Sequence, residues 1–379
     1  MSGSSTVWPD LLLTTLARGS ILRLYQGSVI WALTRDGVIP VSATRSAPLS
    51  DPETGLSFDG STDVLLAPVR GVDARRDLPP ELFAKRPGRF TAKFLFAAAA
   101  ITGLWFVVAE LHRWPLTVVA VVLLGLLYAH LVELQHECLH EHAYRRRWLN
   151  RAVGFLCGVP MLSSYWHYKY EHLRHHAYLG TAQNHEFFNY RFHDLDKPLG
   201  FLRGCLHLGR YLDVGKDLGR SVTGRLNPRV TKTVAARKIR QEYVAFAVVL
   251  AGAVAASVLL HTYLLLLVWV LPTLLVAEPT HFLIELPEHF GLNTQTDPNV
   301  LTNTRTVRAT RLGSWFTNGN DLHTAHHFHQ GVPMAQVPRL HALIADRVGT
   351  VDRSYPAFYR KVVSGELRYV DLDDTCMTR

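Results

Sequence analysis

Three histidine clusters in this 379-residue chain have spacings that could do chemistry. They are His136-Glu-Cys-Leu-His140, His172-Leu-Arg-His175-His176 and His323-Thr-Ala-His326-His327. On a helix, positions i and i+4, or i, i+3 and i+4, project from one face. The first cluster therefore offers two aligned imidazoles and each of the others three. Eight donors are too many for one zinc site, which is four-coordinate when structural. Neutral imidazole suits zinc, copper, iron and nickel, and eight or more such donors fit two metal ions with positions left open for a reactant.

The elements that must position these clusters are apolar. Residues 94–109 and 115–132 are nearly charge-free and are separated by a short break containing Glu110, His112 and Arg113. Residues 243–260 and 263–277 repeat that layout around His261–Thr262. Each stretch lies at the short end of what spans a bilayer core of roughly 30 Å. Two such pairs, each with a tiny connection, predict an all-α membrane protein with four transmembrane helices in two hairpins. A helix running from Leu116 through His140 would be roughly 37 Å long at about 1.5 Å per residue. It would cross the bilayer and carry His136 and His140 just beyond its surface.

Charge orients the hairpins. Arg86, Arg89, Lys93, Arg145–Arg146–Arg147, Arg229, Lys232, Arg237, Lys238 and Arg240 flank the spans, whereas Arg113 is the single basic residue in either far-side connection. This places both termini and all three clusters on the cytoplasmic side, in a helical cap. The net charge of +9 is then a topology marker with attraction for anionic lipid heads, and no basic stripe interleaved with aromatics points to nucleic acid. A mean hydropathy of +0.07 averages the spans with a polar remainder. Four scattered cysteines form no C-x-x-C pair, which argues against a zinc finger, a ferredoxin-type cluster or a disulfide scaffold.

Residues 1–85 read as an N-terminal cytoplasmic extension without a signal peptide, since Asp10 precedes the short apolar run Leu11–Leu13. Val29–Trp31 and Val64–Ala67, with turn residues at 50–55 and 60–61, predict a few short strands there. The membrane domain is expected over 86–345 and a cytoplasmic tail over 346–379. The segment around 201–218 predicts one or two interfacial helices.

At these residues the chain resembles a known superfamily. HECLH, HLRHH and HTAHH are similar to the three histidine boxes of the integral-membrane fatty acid desaturases, a superfamily that includes alkane hydroxylases and carotenoid ketolases. The resemblance covers roughly residues 80–345. It implies a centre of two iron ions, O2 as co-substrate, oxidation of unactivated C–H bonds, and about nine histidine ligands. The segment Glu285-Leu-Pro-Glu-His289-Phe-Gly-Leu292 resembles the motif that supplies the ninth ligand in the alkane hydroxylases, which implies His289. His281, just past Ala277, competes for that place. The second box follows desaturase spacing. The resemblance thus implies an O2-dependent oxidoreductase that puts a double bond into a fatty acyl chain, with hydroxylation or ketone formation, or desaturation of a small natural product, as alternatives. No electron-carrier motif is recognisable, so a ferredoxin- or rubredoxin-like donor is implied. A metal transporter is the competing class, but transporters hold their ligands at mid-bilayer, and here only His130 lies within a span.

Ligating imidazoles commonly donate their second N–H to a carboxylate or amide. Glu133, Glu137, Glu141 and Glu171 lie within four residues of a box histidine, and Asn320 and Asp321 precede the third box. Glu133, Glu137, His281 and Asn320 are the candidates for that supporting shell, with a solvated face as the alternative for Glu137 and Glu141. His130 reads equally as a buried donor or a helix-packing residue. His167, His185 and His329 flank the boxes, His142 points off the ligand face, and the remaining histidines read as ordinary. Tyr165, Trp166 and Trp315 are candidates for lining a hydrocarbon channel or anchoring at the interface.

Overall fold

The computed structural model describes residues 22–26, 29–34, 37–41 and 78–370, save His112, Arg191, Asp196 and Pro198. In the N-terminal part, β1 (Leu22–Gln26), β2 (Val29–Thr34) and β3 (Gly37–Val41) form an antiparallel sheet in that order. The strand expected at 29–31 falls within β2. The one expected at 64–67, with its flanking turns, lies outside the described residues.

The rest of the described residues are mainly helical. Among them four helices are long and apolar enough to cross a membrane: Pro80–Glu110, Trp114–Leu139, Thr233–Leu259 and Leu266–His289. The first contains α1 (Pro87–Glu110), the second is α2 and the third is α7. Their outward faces expose residues such as Phe96, Phe106, Val119, Val248 and Val258, an apolar surface that water would penalise and lipid would not. Between α2 and α7 lie α3 (Arg147–Gly158), α4 (Tyr165–Tyr178), α5 (Gly200–Leu206) and α6 (Leu208–Val222). The last two meet the expectation of short helices near 201–218, broken at His207, whose φ is 33°.

Both α2 and the fourth helix outrun their apolar stretches. The fourth starts with π-helical turns at Leu266–Val270 and Thr273–Ala277, on either side of Pro272, and continues as α8 (Glu278–His289). Proline cannot donate to the helical ladder, and a widened turn is one way to absorb it. The two extended helices pack against each other. Contact there is close enough that a Cβ built on Gly125 would lie 2.3 Å from Val276 Cβ and 2.6 Å from Pro272 O. Gly125→Ala should therefore overpack this crossing and cost about 1–3 kcal/mol. The check is a lowered melting temperature in detergent, with no comparable loss for Gly252→Ala, where the added methyl meets open space.

The chain closes with α9 (Arg311–Phe316), α10 (His323–Phe328), α11 (Val337–Ile344) and α12 (Tyr355–Val363). Packing continues past residue 345. Strand β5 (Val351–Asp352) pairs in parallel with β4 (Thr306–Val307), Asp352 holds the buried Arg305 guanidinium at 3.0 Å, and Phe358 is fully buried.

Candidate metal centre

Each histidine box rests on an element that the local sequence explains. Helix α2 carries His136 on its last turn and releases His140 at its C-cap. Helix α4 starts at Ser164, whose side chain accepts from His167 N. The Glu242 carboxylate of α7 accepts from Ser164 Oγ at 2.6 Å and from Trp166 N at 2.9 Å. A carboxylate at a helix N-terminus satisfies free N–H groups and favours the helix dipole, so α7 fixes where α4 begins. The third box is α10 itself, and His289 ends α8.

These elements converge, and the nine histidines divide into two groups. His136, His140, His172, His176 and His326 form one; His175, His289, His323 and His327 form the other. Within each group the donor nitrogens all lie within 4.8 Å of one another. In the larger group, Nε2 of His172 is 2.8 Å from that of His136 and 3.0 Å from those of His140 and His176. In the smaller, His323 Nε2 is 3.0 Å from His289 Nε2, and His175 Nε2 is 3.2 Å from His327 Nε2. The two HxxHH motifs split in the same way. The i,i+4 pair of α4 (His172, His176) joins the larger group and its i+3 residue the smaller; in α10 the i,i+4 pair (His323, His327) joins the smaller and His326 the larger.

The protonation pattern fits cations. Burial, reinforced by neighbouring imidazoles, holds His140, His172, His176, His323, His326 and His327 well below the ordinary histidine range, so they are neutral. In the smaller group three Nδ1 atoms face amide oxygens: His175 to Asn184 Oδ1 at 2.8 Å, His289 to Asn303 O at 3.0 Å, and His323 to Asn320 Oδ1 at 3.1 Å. An oxygen acceptor assigns the ring proton to Nδ1, leaving Nε2 with its lone pair. Lone pairs pointed at one another at about 3 Å repel unless a cation lies between them, and a centre of imidazole donors suits iron, zinc or copper.

Two carboxylates border the smaller group. Glu186 Oε1 lies 2.8 Å from His175 Nε2, and Glu288 Oε2 lies 3.4 Å from His323 Nε2. The sequence reading passed over both residues, because it searched for acids only near box histidines. Glu288 directly precedes His289, and that adjacency was the available signal. A cavity of about 190 Å³ lined by Glu186, Glu285, Glu288 and His289 opens at this group.

Of the four supporting candidates, Asn320 holds an imidazole of the groups, and its amide donates to Glu288. Glu137 instead accepts from Asn318 at 2.8 Å. Glu133 lies 3.8 Å from His281, which also meets Glu285 at 3.5 Å and Tyr190 at 3.0 Å. His281 is thus in neither group. Glu141 is buried and ion-paired to Lys169 and Arg147, and Glu171 faces His167 and His185. His130 packs helices, with Nδ1 on Phe316 O and its ring stacked on Trp315. His142 is buried and stacked on His140. Tyr165 bonds Cys138 O, and Trp166 lies under Lys238.

Asn320→Ala should free the His323 ring and weaken metal retention by roughly 10–100-fold. Chelator competition on purified protein measures this. An unchanged Asn320→Ala would show that the amide does not orient the ring.

Comparison with known proteins agrees with this geometry. The sequence model of one family, described as fatty acid desaturase, matches residues 112–359. The chain is 30% identical over 122 residues to a fatty acid conjugase of Calendula officinalis, covering 30% of this chain and 32% of that one. It is 26% identical over 132 residues to an sn-1 acyl-lipid omega-3 desaturase (ferredoxin) of Nostoc sp. (strain 36), covering 35% and 36%. It is 29% identical over 164 residues to a bifunctional fatty acid conjugase/Delta(12)-oleate desaturase of Punica granatum, covering 41% and 37%. The matched segments thus span about a third of the length of these relatives.

Proposed function

The chain belongs to the fatty acid desaturase family, and from that membership we propose that it is a membrane-bound oxidoreductase that uses O2 and external electrons to introduce a double bond into a fatty acyl chain. The observation that carries the reading is the convergence of nine imidazoles into groups of five and four, with His136, His140 and His289 brought there by the ends of two helices apolar enough to cross a membrane. Iron ions held by these two groups would supply the O2 activation that removal of hydrogen from unactivated methylenes requires.

The chain's own part is positioning. Asn184, Asn320 and the Asn303 carbonyl orient three rings of the smaller group, and Tyr168 packs against His136 and His172. The basic flanks of the spans support a cytoplasmic centre with both termini on that side, under a helical cap on two hairpins. The ferredoxin named for the Nostoc relative supports a ferredoxin-like donor here.

The test compares lipid extracts of cells with and without the gene by mass spectrometry. Acyl chains lighter by two hydrogens support desaturation, whereas a gain of one oxygen assigns hydroxylation to the same centre. Metal analysis of purified protein should find about two irons per chain, one per histidine group. Zinc alone in active protein would overturn the iron assignment.

A further inference from the structure

A second polar site lies away from the histidine groups, where α1 begins. A cavity of about 350 Å³ is lined by Arg86, Arg89, Lys93, Glu137, Arg311 and Trp315, among others. A neighbouring cleft shares Arg86 and Arg89 and adds Lys85 and Arg339. Among the described residues, Arg86, Arg89 and Arg311 have no side-chain hydrogen bond or ion pair. The one carboxylate of the cavity is already engaged: Glu137 accepts from Asn318, which in turn accepts from the buried Lys93 ammonium at 2.8 Å. Arg86, Arg89 and Arg311 are exposed and line this one cavity, and a bound anion would give their guanidinium groups a partner. Guanidinium matches the oxygens of phosphate in a two-pronged geometry.

The wall beyond the arginines is apolar. Trp315 meets Phe96 edge-on at 5.6 Å, and Phe96 is 57% exposed on the outward face of α1. The site is thus cationic at one end, and at the other its Trp315 touches a residue on the outer surface of a membrane-length helix. Its volume falls within the usual range for small-ligand pockets.

We propose that this cavity binds the phosphate headgroup of an acyl-bearing amphiphile, with Arg86, Arg89 and Arg311 on the phosphate and the Trp315–Phe96 edge receiving the chain. That the ligand is also the substrate rests on the desaturase reading; the binding itself does not. The phosphate could belong to a membrane phospholipid or to a soluble thioester carrier, and the two sources are separable.

The experiment uses the full chain in neutral detergent. Quenching of tryptophan fluorescence is followed with phosphatidylglycerol brominated on its acyl chains and with equally brominated diacylglycerol, which lacks the phosphate. Wild type should bind the phospholipid more tightly than the diacylglycerol. The R86Q/R89Q/R311Q variant should lose more than about tenfold in phospholipid affinity and none in diacylglycerol affinity. Oleoyl-coenzyme A displaces the brominated phospholipid more effectively than unlabelled phospholipid does if a soluble carrier is the source, and less effectively if a lipid is. Melting temperature and metal content control for folding, with Arg311→Gln alone as the milder variant and Arg353→Gln as a charge control elsewhere.

Unchanged phospholipid affinity in the folded variant overturns the proposal, as does equal binding of both probes by wild type. A raised KM for the reduced electron donor with lipid binding intact assigns the cavity to that acidic partner, and also overturns it. Arginine-dependent binding without acyl oxidation on either carrier upholds the site and removes the desaturase reading. Acyl oxidation with arginine-independent binding does the reverse.

Discussion

His323→Ala should release the metal of the four-histidine group, whereas His140→Ala should leave much of the metal in the five-histidine group. Both residues are buried, and both point a neutral imidazole at their neighbours, so local environment does not separate them. The group sizes do. Removing one donor from His175, His289, His323 and His327 leaves three, while removing one from the other group leaves four. His323 also anchors Asn320, whose amide holds Glu288, so its loss loosens a carboxylate as well. Metal analysis should fall from about two ions per chain toward one for His323→Ala, with a turnover loss beyond the roughly 10–100-fold typical for losing a ligand's hydrogen-bond partner. His281→Ala should keep both ions, because His281 bonds Tyr190 and carboxylates and joins neither group. Equal metal loss in His323→Ala and His140→Ala would show that the division into four and five does not govern affinity.

Glu278→Leu should be among the most damaging single changes to folding. Glu278 is fully buried and Arg210 is 7% exposed, with Arg210 Nη1 3.2 Å from Glu278 Oε2. Tyr211 donates to the same oxygen at 2.8 Å and Tyr190 to the other at 3.3 Å, so one carboxylate ties α6, the Tyr190 segment and α8 together. Deleting it leaves the buried guanidinium without its counter-charge, with Met161 O as its remaining hydrogen-bond acceptor. Breaking a buried pair from one side costs about 3–5 kcal/mol. Removing both charges with residues of similar size should cost far less, so R210M/E278L should be more stable than Glu278→Leu alone. Thermal unfolding of the singles and the double in detergent forms the cycle. If the double were as unstable as Glu278→Leu, packing and the two tyrosine bonds, not the stranded charge, would be the cause. Since α8 ends on His289, metal content should fall along with stability.

The apolar spans and the histidine faces were legible in the sequence for different physical reasons. Four apolar helices were legible because composition alone makes a stretch unfavourable in water and favourable in lipid. The far end of α2 was legible too: the i,i+4 pair His136 and His140 extends the helix past Val132, and it runs to Leu139 with His140 as its cap. The end of the fourth helix was not, since nothing in the run ending at Ala277 announces that the chain continues helically to His289 through two widened turns.

Spacing along one helix follows from backbone geometry, so the sequence by itself determined which histidines share a face and that there were donors enough for more than one ion. The sequence could not assign those faces to partners, because that depends on how helices distant in the chain cross. Only the tertiary structure divided the nine into five and four, sent the i+3 histidine of each HxxHH to the opposite group, and separated His289, which the resemblance already implied, from its competitor His281. The same holds for the atoms that orient the rings. Asn184, the Asn303 carbonyl, Glu186 and Glu288 belong to no box, and they act because close packing brings them within hydrogen-bonding distance of an imidazole. A hydrogen bond of about 3 Å is set by three-dimensional packing, and periodicity along a chain carries no record of it.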